Sequence, residues 1–141
     1  MDDLLSNFEV LFKARGLSAV HGRIFGVMLM AGEPLTQDAI AERSNYSVPA
    51  VSISLDELVR LGLATKTRKA GDRKGYYRTD ADLVSIFQKF IAAIHDEHVL
   101  PFTRLLAVYV EANPNNKSMK GLKKNLNGLE LYLRKLLEVE A

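Results

Sequence analysis

Apolar side chains recur at helical spacing along most of this chain and switch to strict alternation once, at residues 63–69. Leu4, Leu5, Phe8, Leu11 and Phe12 lie on one face of a first amphipathic helix that stops near Gly16. A second helix follows at about 18–31 on Val20, Ile24, Val27, Met28 and Met30. Gly22 and Gly26 lie four apart in it, where small residues let a neighbouring helix come close. Gly32-Glu33-Pro34 ends that helix, and Thr36 is an N-cap for a short third helix at 36–43, with Asp38 placed well against its dipole. Ser44-Asn45-Tyr46 is turn chemistry. Ser47 caps a fourth helix with Pro49 in its first turn, Val51, Leu55 and Leu58 as its buried stripe, and Gly62 as a left-handed C′ residue. Ile53 falls outside that stripe, and an exposed isoleucine there calls for something to meet it. Leu63, Thr65 and Thr67 then alternate with Ala64, Lys66 and Arg68. Residues 70–75 form a tip and Tyr76–Thr79 return, which describes a hairpin.

Thr79 reads as the cap of the next helix, with Asp80 and Asp82 in its first turn. Leu83, Ile86, Phe87, Phe90, Ile91, Ile94, Phe102, Leu105, Leu106 and Tyr109 keep one helical phase through Pro101, so the pattern predicts one long kinked helix or two. After a break at 112–118, Met119, Leu122, Leu126, Leu129, Leu133 and Leu136 are spaced 3, 4, 3, 4, 3, a heptad seam.

A short helix, a turn, a second helix and a two-stranded hairpin, in that order, describe a winged helix-turn-helix. The expected fold is mainly α with a small β-wing, flanked by long N- and C-terminal dimerisation helices. The expected division is 1–16, an N-terminal dimerisation helix; 17–79, the DNA-binding domain; and 80–141, a helical dimerisation region. Residues 17–79 close a small core without these arms, so the leucine seam Leu122, Leu126, Leu129, Leu133 and Leu136 is expected to cross to a second subunit. Leu5, Phe8 and Phe12 are expected to aid it. The plain alternative is that the seam packs back on its own long helix.

Net charge is only +2, but its distribution is uneven. Between residues 60 and 78 lie Arg60, Lys66, Arg68, Lys69, Arg73, Lys74 and Arg78 against Asp72 alone, whereas residues 80–112 carry five acids and two bases. A positive field focused on one hairpin suits phosphate binding. Arg73 is at the wing tip, where an arginine reaches a narrow minor groove. Lys69 and Lys74 flank it, Arg68 and Arg78 stand on the strands, and Thr36 and Gln37 head the bracing helix. A fourth-helix N-terminus with its positive dipole end complements them. The expected partner is double-stranded DNA bearing an inverted repeat, bound by a homodimeric, sequence-preferring transcriptional repressor. The alternative is a winged-helix module that docks an acidic protein partner.

The motifs GRIxGxML, PLTxxxIAE, SxxAVSxSLxELxxLGL and GDRKxYY, at about residues 21–79, resemble the GbsR branch of the MarR-type winged-helix transcriptional regulators. The later DEHVLPF stretch fits it less specifically. The resemblance implies a homodimer with interlocked terminal helices and two winged helices gripping a palindromic operator. It implies that Ser47, Val48, Pro49, Ala50, Ser52 and Ile53 hold the recognition-helix contact positions and Arg73 the wing contact. It also implies a response to quaternary ammonium osmolytes, for which aromatic cages are suited. An effector pocket between the wing domain and the long helix follows as an expectation, its ligand unidentified. One departure is physical: from Ser47 to Val59 there is no Arg, Lys, Asn or Gln, the residues that read guanine or adenine bidentately.

Other chemistry is poorly served. The chain has no cysteine, so neither disulfides nor thiolate metal sites arise. His95 and His98 are three apart with carboxylates between, which is not the i, i+4 zincin spacing, and His21 is distant in sequence. A solvated polar patch near Pro101 is expected there, and no metal and no cofactor. With no phosphate loop and no nucleophile–base set, the chain does not read as an enzyme. Its charged share of 26% against 48% hydrophobic is that of an ordered globular protein. The acidic, interrupted N-terminus is unlike a signal peptide and no apolar run spans a bilayer, so a cytoplasmic protein with no membrane partner is expected.

Overall fold

Asp2 and Asp3 open the first helix, α1 (Asp2–Ala14), where negative charge suits the positive end of the helix dipole. Gly16, at φ +84°, lets the chain reverse. The Gly16 and Leu17 N–H groups donate back to the Lys13 and Phe12 carbonyls, satisfying groups that a helix end otherwise strands. The structure is a computed structural model and describes residues 1–140. Two units divide the chain, Met1–Asp82 and Leu83 onward.

In the first unit α1 lies along α2 (Ala19–Ala31), whose N-cap Ser18 accepts from the Val20 N–H at 3.1 Å. The glycine pair explains how close the two helices come. A Cβ on Gly22 would stand 2.3 Å from the Phe8 carbonyl oxygen, and one on Gly26 2.6 Å from the Phe8 ring. Phe12 packs on Phe25 with ring centroids 5.5 Å apart, and Phe8 lies 6.2 Å from the same ring. Leu5 and Phe12 are buried in this contact and Phe8 is half-buried. The expectation that Leu5, Phe8 and Phe12 are interface residues is therefore corrected for Leu5 and Phe12. Their apolar surface is already covered within their own chain, each covering worth about 1.5–3 kcal/mol.

α3 (Gln37–Ser44) and α4 (Val48–Arg60) form the helix-turn-helix. The caps are the predicted ones: Thr36 Oγ1 accepts from Ala39 N–H at 3.2 Å, and Ser47 Oγ from Ala50 N–H at 3.3 Å. Asn45 takes φ +64° to make the turn between them. Val51, Leu55 and Leu58 are fully buried, as the stripe requires. Gly62, at φ +74°, closes α4 with the Leu63 N–H donating to the Leu58 carbonyl at 2.8 Å.

The wing is β1 (Thr65–Arg68) paired antiparallel with β2 (Gly75–Arg78), in register Thr65 with Arg78 and Arg68 with Gly75. Leu35 bridges to β2: its N–H donates to the Tyr77 carbonyl at 2.9 Å, and its carbonyl accepts from the Tyr77 N–H at 2.7 Å. Tyr77 is buried, so the wing is stitched to the head of α3 by backbone bonds over a covered side chain.

The second unit holds α5 (Leu83–Ile94), a π-helical turn (His95–Val99), α6 (Leu100–Ala112) and α7 (Lys117–Glu138). Thr79 does not cap α5. Its hydroxyl accepts from Ala81 N–H in a local turn, and the helix begins only at Leu83, leaving Asp80 and Asp82 outside it. Proline at 101 deprives Glu97 of its usual i+4 donor, and the wider turn absorbs this, the Leu100 N–H reaching back to the His95 carbonyl. Ile86, Phe90, Val99, Leu106 and Leu133 are the buried apolar residues of this unit. The leucine seam is thus shared. Leu133 is covered by its own chain, Leu126 and Leu136 are half-buried, and Leu122 and Leu129 remain exposed.

Candidate nucleic-acid interface

The side chains of β1 and β2 sort by pleat. Lys66 and Arg68 share a face with Gly75 and Tyr77, because residues two apart point the same way and direct partners sit opposite. The missing side chain at Gly75 leaves space that Lys66 fills, since a Cβ there would stand 2.8 Å from Lys66 Cε. The Lys66 ammonium lies 5.7 Å over the Tyr77 ring, and Gln37 Nε2 donates to Tyr77 Oη at 3.2 Å. Lys66, Arg68, Arg73 and Lys74 meet Thr36, Gln37 and Asp38 around one open groove of about 280 Å³. Four cations against one carboxylate, beside the positive end of α3, make that groove a place for an anion with extended geometry.

The wing tip is ordered by Asp72. It accepts from the Lys74 N–H at 2.9 Å and from the Tyr76 hydroxyl at 2.7 Å, while its own N–H donates to the Lys69 carbonyl. Those bonds, the backbone one first, hold the Asp72 carboxyl below its ordinary range, and they raise the Tyr76 phenol. Gly71, at φ +78°, supplies the bend. Lys69 stacks 4.5 Å over the Tyr76 ring. Asp72 thus shapes the turn that carries Arg73 rather than neutralising it.

Of the sequence-predicted residues, Thr36, Gln37, Arg68, Arg73 and Lys74 converge on the groove. Lys69 is on the opposite side of the tip turn from Lys74 in sequence and is engaged with Tyr76. Arg78 pairs with Asp80 at 3.4 Å, a surface pair of little strength that partly occupies it. Ser47, Val48, Pro49, Ala50, Ser52 and Ile53 occupy the first turns of α4, with Ser47, Val48 and Pro49 exposed and Ile53 72% exposed. Lys66 and Asp38 were not singled out from the sequence as site residues. Lys66 was legible in the alternation it shares with Arg68.

The serines at 47, 52 and 54 differ in setting. Ser47 caps the helix, Ser52 is half-buried, and Ser54 is buried with its hydroxyl 2.6 Å from His21 Nδ1. Burial lowers the His21 pKa, with the Glu57 carboxylate opposing, and its partner here is the Ser54 hydroxyl. Behind this surface Arg23 is buried and joined to Asp2, to Glu9 at 3.3 Å and to the Ser44 carbonyl at 2.7 Å. Tyr46 Oη also donates to Glu9. Its partners all come from distant positions, so Arg23 carried no local signal.

His95 corrects the expected solvated patch. It is buried, with Nδ1 2.8 Å from Asp96 and Nε2 2.9 Å from Glu130 of α7, and Arg134 holds the same Glu130 at 2.7 Å. His98 is exposed. Among the described residues no group of three His, Asp or Glu side chains is arranged to hold a metal ion, and no helix is long and apolar enough to cross a membrane.

A MarR family model matches residues 15–75. Among solved structures the chain is similar to one described as a transcriptional regulator, at 19% identity over 96% of this chain and 93% of that one, with a TM-score of 0.65. It is also similar to the transcriptional regulator BldR from Sulfolobus solfataricus (20% identity, 89% and 80% covered, TM-score 0.43). A third is ZitR, a zinc-responsive MarR family member from Lactococcus lactis (23% identity, 80% and 74% covered, TM-score 0.41). No curated protein shows a significant match. The fold is a winged helix of the kind the MarR family model describes, shared over its length with a structure described as a transcriptional regulator.

Proposed function

We propose that this MarR-type winged helix belongs to a homodimeric, sequence-preferring repressor in the cytoplasm. α4 enters the major groove of duplex DNA, and the wing meets the adjacent minor groove and backbone. The observation that carries the reading is the cationic groove. Lys66, Arg68, Arg73 and Lys74 gather beside the head of α3, on the unit that also exposes the first turns of α4. Helix-turn-helix proteins use the second helix for base edges and the first for the backbone, and a charged wing extends the footprint. The GbsR-like motifs support a place in that branch and a small-molecule effector of unidentified chemistry.

Dimerisation is supported by the second unit, where Phe102, Leu105, Val108 and Tyr109 of α6 and Leu122, Leu129 and Tyr132 of α7 are each at least 40% exposed. Apolar surface on that scale on two helices suits a partner copy. A two-fold dimer reading an inverted repeat sets its recognition helices about 34 Å apart.

The test is a titration of the protein against duplex DNA, its own upstream region first, at rising salt. Specific binding whose affinity falls steeply with salt is expected. A second reading, a module that docks an acidic protein, is favoured by the absence of Arg, Lys, Asn and Gln from Ser47 to Val59. Failure to bind any duplex even at low salt selects it and removes the first.

A further inference from the structure

Ile53 is the most exposed large aliphatic side chain of the winged-helix unit after Met1, at 72%, and it stands well clear of the buried stripe Val51, Leu55 and Leu58 of the same helix, further out than Val48 or Val59. It is two residues from fully buried Val51, so it points about 200° around the helix from it, away from the core. Pro49, one turn earlier, shares that outward face. The polar groups nearby are poorly suited to read bases. Ser47 Oγ is taken by the helix cap, Ser54 by His21, and Arg60 is held by Glu57, while the half-buried Ser52 offers only a short hydroxyl that does not tell one base from another. Asp56, on the same outer side, accepts hydrogen bonds but repels phosphate. An outward isoleucine is therefore the dominant chemical feature of the leading turns of α4, on a unit whose wing is cationic.

We propose that Ile53, with Pro49 beside it, is a specificity-determining contact that reads the 5-methyl group of thymine in the major groove. This rests on the DNA-binding reading above. The thymine methyl is the one apolar group any base presents on the major-groove edge, so an aliphatic side chain without donors discriminates through it alone. Affinity then comes from the wing and the groove at the head of α3, while sequence choice on α4 comes from where thymines fall. The bound half-site must carry at least one thymine under the first two turns of α4.

The experiment selects tight-binding duplexes from a random pool with the full-length protein, then resynthesises the winner with deoxyuridine replacing thymidine one position at a time. Pairing is unchanged and only the methyl is lost. Uracil at one position per half-site is expected to weaken binding about fourfold, the factor corresponding to one covered methyl-sized group. Ile53→Ala, an exposed change that leaves the core intact, is expected to remove that penalty. Arg73→Ala is expected to weaken thymine and uracil duplexes alike. Selected duplexes that bind tightly and tolerate uracil everywhere overturn the thymine assignment and leave the DNA-binding reading standing. A uracil penalty that persists undiminished in Ile53→Ala also overturns it, since the methyl then acts through DNA shape. A pool from which nothing is enriched at low salt overturns the DNA-binding reading itself.

Discussion

Arg23 anchors three segments with one guanidinium. It holds Asp2 and Glu9 of α1 and the Ser44 carbonyl at the end of α3, while standing on α2. Its pKa is raised chiefly by the hydrogen bond to Asp2, so it is charged at any working pH. Removing it leaves Glu9 and the Ser44 carbonyl short of a donor. Arg23→Ala is expected to cost on the order of 3 kcal/mol, toward the lower end for a buried pair because Asp2 is largely exposed. Urea denaturation measures it, and a loss under 1 kcal/mol contradicts the anchoring role. Nothing near residue 23 announces this, because a cation inside a helical pattern reads as solvated face and its partners are 14 and 21 residues away. The caps at Thr36 and Ser47 and the reversal at Gly62 were legible because each needs only neighbours in sequence. Arg73 was legible for the same reason, being at the tip of a hairpin. Arg73→Ala is expected to weaken DNA binding by about 1 kcal/mol per subunit and to lower the salt slope by about one unit. Fluorescence anisotropy across salt concentrations reads both, and an unchanged slope removes Arg73 from the phosphate contacts.

Among the helices, the closeness of α1 and α2 depends on Gly22 and Gly26 in different degrees. A methyl at Gly22 meets the Phe8 carbonyl, which is backbone of a packed helix and cannot yield, whereas at Gly26 it meets the Phe8 ring. Gly22→Ala is expected to destabilise by about 2–3 kcal/mol and Gly26→Ala by less. Gly121→Ala in α7, where nothing lies within 4 Å, is expected to stabilise by about 0.5–1 kcal/mol from helix propensity alone. Thermal melts of the three variants rank them, and equal effects at 22 and 121 defeat the packing account. The glycine pair predicted a close approach but not the neighbour, since any helix satisfies the spacing. The π-helical turn was illegible as well: Pro101 told of a disturbance, and only the packing of α5, α6 and α7 decides between kink, break and widened turn. Thr79 was misread because a threonine followed by aspartates signals a cap equally well for a local turn.

At the scale of the whole chain, two features govern how it responds to conditions. His95 lies between Asp96 and Glu130, with Arg134 on the same Glu130. The hydrogen bond to Asp96, then that to Glu130, raises the His95 pKa, and the bond from His95 lowers that of Glu130. The raised histidine contributes stability that is complete below its unfolded value near 6.5 and lost as pH climbs through the folded one. The lowered carboxyl contributes stability present above about 4.5 and lost as pH falls through its folded value. Helicity followed on heating at pH values from about 3 to 9 is expected to peak between those limits, with His95→Gln flattening the alkaline side. An unchanged alkaline limb in that variant counts against the bridge. The second feature is the apolar surface of α6 and α7. Leu105→Glu, at a position 60% exposed, is expected to leave the fold intact, turn a sedimenting dimer into a monomer and abolish specific DNA binding. A wild-type protein that sediments as a compact monomer at micromolar concentration removes the dimer. The seam pattern alone could not apportion its leucines, because one spacing serves a partner chain and the chain's own helices equally.

The rung between Leu35 and Tyr77 reaches beyond stability. It fixes the wing through main-chain groups, which every substitution other than proline retains, so the basic residues around the hairpin can be exchanged without altering where the hairpin stands. If the unit grips duplex DNA as proposed, a lineage of such proteins retunes the strength of that grip through the hairpin while the leading turns of α4 set the address, and strength and choice of target become separable traits, open to change on different timetables.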